Sequence, residues 1–131
     1  MTTLEDVDRL ASALPDVTEG ARYRGQRTWA VRDKAFAWDR QFSKADVRRF
    51  GDDPVPAGPI LAVATGDLEE KEAALAAHPV ACFTIPHFDG YPAVLVRLDA
   101  ADEAELRELL LDAWFAKAPA ALADAHRDLL A

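Results

Sequence analysis

One cysteine, Cys82, is all that this chain of 131 residues contains. It cannot close an internal disulfide, which excludes a disulfide-stapled scaffold and leads us to expect a reducing, cytoplasmic setting. Basic residues are in the minority, 15 against 23 acidic ones, for a net charge of -8 and a pI near 4.8. A chain so acidic is soluble and, taken as a whole, repels polyanions. No run of large apolar residues is long enough to cross a bilayer. Met1 to Asp6 lacks a basic stretch leading into an apolar one, so neither a membrane anchor nor a signal peptide is expected. The six glycines form no phosphate-cradling loop. There is no serine-centred nucleophile elbow and no metal-binding pair of carboxylates. From these absences we expect a protein that is not an enzyme, with no catalytic residue, no metal and no cofactor.

What is present suits one domain spanning 1-131, long enough to bury a core. Thr3 suits a helix cap with Asp6 in the first turn, followed by an apolar stripe of Leu4, Val7, Leu10, Ala11 and Leu14 that ends at Pro15. An extended region begins at Glu19-Gly20. Thr28-Arg32 and Ala35-Asp39 read as a hairpin around Asp33-Lys34, a turn of uncertain type because it lacks glycine. Alternation places Trp29 and Val31 on one face, and Phe36 with Trp38 on one face of the partner strand. Residues 43-50 read as a short helix capped by Ser43 with Asp46. A loop of turn formers follows, and then a buried strand at Ile60-Ala64. Asp67 with Glu70, and Asp102 with Glu105, are capping boxes for two further helices; the second carries Leu106, Leu109, Leu110, Ala113 and Trp114. Val80-Thr84 and Pro92-Leu98 are strands, the second apolar on both faces and therefore central. Pro119 opens a last helix. Strands joined by short turns and interspersed with helices give an α+β, two-layer domain: a mainly antiparallel sheet with helices packed on one face.

Charge is distributed unevenly. Residues 20-50 hold nine basic side chains (Arg22, Arg24, Arg27, Arg32, Lys34, Arg40, Lys44, Arg48 and Arg49) against three acidic ones, a net of +6; the rest of the chain has 6 basic against 20 acidic. Trp29, Phe36, Trp38 and Phe42 are interleaved with these bases. Clustered Arg and Lys neutralise phosphates, and Trp29 or Trp38, if exposed, can stack on bases. The competing reading buries the aromatics in the core and pairs the arginines with acidic helices.

The segment from Phe83 to Leu98, FTIPHFDGYPAVLVRL, couples a stiff aromatic loop to a strand. Together with Ala13-Gly20 (ALPDVTEG), Trp29-Ala37 (WAVRDKAFA) and the helix Leu106-Ala118 around Trp114, it resembles the MmcQ/YjbR family of small bacterial proteins. That resemblance implies an α+β fold of the kind compared with CyaY and with secretion chaperones, sometimes described as a double-wing arrangement. It also implies DNA as a partner, since family members are commonly labelled DNA-binding. The alternative is a protein- or small-ligand-binding module built on the loop 84-92. His87, Asp89, Tyr91 and Arg97 are then the candidate contacts, in a cleft shared with Trp38. His87-Phe88-Asp89 falls short of the three or four converging ligands that zinc needs.

Overall fold

The computed structural model describes residues 1-22 and 25-130. Its centre is a six-stranded sheet in which every neighbouring pair is antiparallel. In chain order the strands are β1 (Val17–Ala21), β2 (Arg27–Val31), β3 (Lys34–Asp39), β4 (Ile60–Ala64), β5 (Cys82–Phe83) and β6 (Ala93–Arg97). Across the sheet the order is β1-β2-β3-β4-β6-β5, so only the last pair departs from a simple meander. The helices are α1 (Leu4–Ser12), α2 (Lys44–Arg49), α3 (Leu68–Ala77), α4 (Glu103–Lys117) and α5 (Ala120–Ala125). The α+β class with an antiparallel sheet is as expected. The strand β1, which pairs along the whole of β2, was legible only as an extended region.

The alternation of the central strands divides the core in two. On β4 and β6, Leu61, Val63, Val94 and Val96 face α1 and α4 and join Trp29, Val31, Leu106, Leu110 and Trp114 in the larger core. Ile60, Ala62, Ala93 and Leu95 face the opposite way and meet Ile85, Phe88, Phe42 and Phe50. That second face is covered by α2 and by a 3-10 turn at Pro86–Phe88 rather than by a long helix. The two buried indoles are fully hydrogen-bonded, as buried tryptophans usually are. Trp29 donates to Asp8 Oδ1 at 3.0 Å, and Trp114 donates to the Pro15 carbonyl at 2.9 Å.

Local sequence chemistry sets the helix starts. Thr3 and Asp6, Ser43 and Asp46, and Asp102 and Glu105 each form a reciprocal capping box. At α3 only half of the expected box is made: Asp67 accepts from the Glu70 N–H.

Two expectations for the hairpin need correction. The turn consists of Arg32 and Asp33, both at positive φ (45° and 71°), not of Asp33 and Lys34. This is the primed geometry whose twist matches a right-twisted strand pair. Phe36 and Trp38 do not share a face. Ala30 pairs with Ala35 and Trp29 with Ala37, so Phe36 is an extra residue, a β-bulge. Phe36 and Ala37 both turn into the larger core, and Trp38 emerges on the opposite face.

Candidate functional site

The α2 segment and the 3-10 turn cover only the β4-β6 half of the second sheet face. Over β2 and β3 that face is open and forms a cleft of about 810 Å3. Its floor is Thr28, Ala35 and Trp38. In the sheet, Trp38 is flanked by Thr28 on β2 and Ala62 on β4, both small, so the indole is not roofed by its cross-strand neighbours. One wall is Arg22 and Gln26. A second is Gln41, Phe42, Ser43, Ala45 and Arg49, from the β3-α2 connection and α2. The third is His87, Phe88 and Tyr91, from the loop before β6. The two candidate regions, the basic hairpin and the aromatic loop, thus meet in one concavity.

Arg40 lies where the walls meet. Its Nη2 donates to Asp46 Oδ2 at 2.9 Å, and its guanidinium sits over the Phe88 ring, 5.6 Å from the centroid. Asp46 is almost fully buried, and Arg49 approaches its other oxygen at 3.8 Å. Burial pushes the Asp46 carboxyl up. The Ser43 backbone N–H and the Arg40 guanidinium outweigh that, so its pKa lies below the ordinary carboxylate value. Two guanidiniums therefore share one buried carboxylate, and Arg22 adds a third positive group. Among the described residues no acidic side chain belongs to the cleft lining itself. Within a protein of net charge -8 this concavity is locally cationic.

Phe88 carries Tyr91 edge-on at 5.6 Å between centroids. The loop is tied down from behind by Lys71 of α3, whose Nζ donates to the carbonyls of Phe88 and Tyr91. Lys71 is buried, and desolvation lowers its pKa against the opposing charges of Asp89 and Glu72. Sequence reasoning passed over Lys71. Its one signal was position: it lies three and four residues before Ala74 and Leu75, which pack on the larger core, in a helix otherwise rich in Glu.

The remaining candidates are scattered. Arg27 is held by Glu5 at 2.9 Å and Glu19 at 3.1 Å, with Asp8 at 3.8 Å, and its guanidinium stacks on Trp29. Arg32 is paired with Asp16 at 2.8 Å. Trp29, expected as a possible stacking residue if exposed, is wholly buried and is unable to stack on a base. Lys34, Lys44 and Arg48 are exposed and outside the cleft lining, and they make no ion pair among the described residues. Arg24 lies outside the described residues. Arg97 is over the Phe83 ring at 5.1 Å, and neither it nor Asp89 lines the cleft.

The histidines do not converge. His78 is paired with Glu105, His126 packs on Trp114, and His87 sits at the cleft. Among the described residues no group of three or more His, Cys, Asp or Glu is placed to hold a metal ion. Cys82 is buried, and burial pushes its thiol up to about 12. No helix among the described residues is long and apolar enough to cross a membrane.

The YjbR family model matches residues 12–116. An uncharacterised protein of Mycobacterium bovis and one of Mycobacterium tuberculosis are each 41% identical over 128 residues, covering 95% of this chain and 95% of theirs. The crystal structure of a Deinococcus radiodurans protein with a DUF419 domain superposes with a TM-score of 0.64 at 21% identity, over 99% of this chain and 88% of that one. The matched span holds the sheet, the cleft and almost all of α4, and on it the chain belongs to the YjbR family.

Proposed function

We propose that this protein is a non-enzymatic DNA-binding domain whose contact surface is the open cleft rather than the basic segment as a whole. The observation that carries this is the convergence of Arg22, Arg40 and Arg49 with Trp38 and Tyr91 in one concavity whose lining, among the described residues, has no acidic side chain. Guanidiniums recognise phosphate oxygens, and aromatic faces receive bases. Cys82, buried and with its thiol pushed up to about 12, stays un-ionised near neutrality and is unsuited to act as a nucleophile. Of the nine basic candidates, Arg27 and Arg32 serve carboxylates away from the cleft and Arg40 is held at 2.9 Å by Asp46, while Arg49 lies 3.8 Å from that carboxylate, which narrows the phosphate-contacting set.

A titration of fluorescently labelled DNA at low salt, followed by anisotropy, tests this. Wild type should bind in the micromolar range, and Arg22→Glu with Arg49→Glu should abolish binding. Arg32→Glu with Lys34→Glu, at the hairpin tip, should change it by a few-fold at most. No binding by wild type at tens of micromolar, or equal loss from both pairs, would count against the cleft.

The alternative, a small-ligand module on the same loop, draws on the cleft's size, which falls within the usual range of about 300–1,000 Å3 for small-molecule sites.

A further inference from the structure

We propose that the ligand is a single strand, with one base stacked on Trp38 and the neighbouring phosphates held by Arg22 and Arg49; this rests on the nucleic-acid reading of the cleft. Trp38 lies on the floor, behind walls built by Phe42 and Tyr91. In a duplex the base faces are stacked on one another and the phosphates lie outside, so a duplex would meet the rim arginines and leave the floor empty. A single strand can turn a base inward while its backbone follows the rim. Trp38 is half-buried, packed on one side against the smaller core, and its cross-strand neighbours Thr28 and Ala62 are small. Both rim arginines are exposed, and Arg40 is pinned to the buried carboxylate of Asp46. An acidic peptide would satisfy the arginines and leave the indole uncovered.

The structure also supplies its own reporter. Trp29 and Trp114 are fully buried, so of the three tryptophans only Trp38 is within reach of a ligand. Intrinsic tryptophan emission is titrated at low salt with oligo(dT), with a hairpin duplex of equal charge, and with polyglutamate. Oligo(dT) should quench saturably and shield the quenchable tryptophan from acrylamide, while the duplex and polyglutamate should do neither. Trp38→Phe should remove the quench, and Trp38→Ala should weaken oligo(dT) binding by about tenfold, within the range that one stacked base contributes. The acrylamide shielding needs no variant, so the test survives if either variant fails to fold. Duplex binding as tight as single-strand binding, with no quench, overturns the single-strand inference and leaves the nucleic-acid reading standing. Equal quenching by polyglutamate shows that charge alone is read, and overturns base stacking. Binding by neither nucleic acid overturns both.

Discussion

Asp46 is nearly inaccessible, yet it carries the charge that Arg40 and Arg49 both face. Asp46→Asn should destabilise the fold by about 2 kcal/mol, less than a fully buried pair would lose because Arg40 borders the cleft. Urea denaturation measures this. Because its folded pKa is depressed, Asp46 contributes stability that is fully present above the unfolded carboxylate value of about 4 and is lost as pH falls through the lower folded value. The difference in melting temperature between wild type and Asp46→Asn should therefore be constant near neutrality and shrink in acid. A difference that persists unchanged below the folded value would mean that the carboxylate charge is not what holds Arg40. Asp33 makes the opposite kind of prediction. It occupies a left-handed conformation that costs a side-chain-bearing residue about 1 kcal/mol. Asp33→Gly should raise stability by about that amount, read from the same denaturation curves.

Among the elements, α3 positions the site most directly without contributing to its lining. Lys71 reaches from it to two carbonyls of the loop before β6. Lys71→Met keeps the stem and removes the donors; the Phe88 and Tyr91 carbonyls keep the backbone N–H groups of Tyr91 and Ala93, so the cost should be about 1 kcal/mol. Hydrogen exchange should quicken at the Phe88, Asp89 and Tyr91 amides and stay slow in α4; uniform quickening would mean that Lys71 supports the whole fold instead. How much of this was legible in the sequence follows the range of the forces involved. The starts of α1, α2 and α4 were readable because a capping box closes within four residues. The two-sided burial of β6 was readable because Ala93-Val94-Leu95-Val96 is continuously apolar. The bulge at Phe36 was not, since alternation carries no mark of where a residue is skipped; that one skip sends Trp38 to the open face and Phe36 to the core. Nor was the clamp from Lys71, which joins residues 17 and 20 positions apart through tertiary packing. The basic excess of residues 20-50 was visible, but not its sorting: Arg27 and Arg32 stabilise β1, α1 and the turn, while Arg22, Arg40 and Arg49 line the cleft.

For the whole molecule, a cationic concavity in a chain of net charge -8 works against the long-range field of the rest. Association should therefore gain little from steering, and affinity should still fall with salt, because phosphate contacts release counterions. With two or three guanidiniums engaged, the slope of log K against log salt should be about -2 on a single strand; a slope near that of nine contacts would restore the whole basic segment as the interface. The central claim, that the open face over β2 and β3 is the binding surface, is tested most directly by mapping amide chemical-shift changes as single-stranded DNA is added to labelled protein. The expected result is a contiguous set of shifts at Thr28, Ala35, Trp38, Phe42 and Tyr91, with α4 and α5 silent. Shifts gathered on the α1-α4 face or at the hairpin tip, with the cleft unmoved, would contradict it.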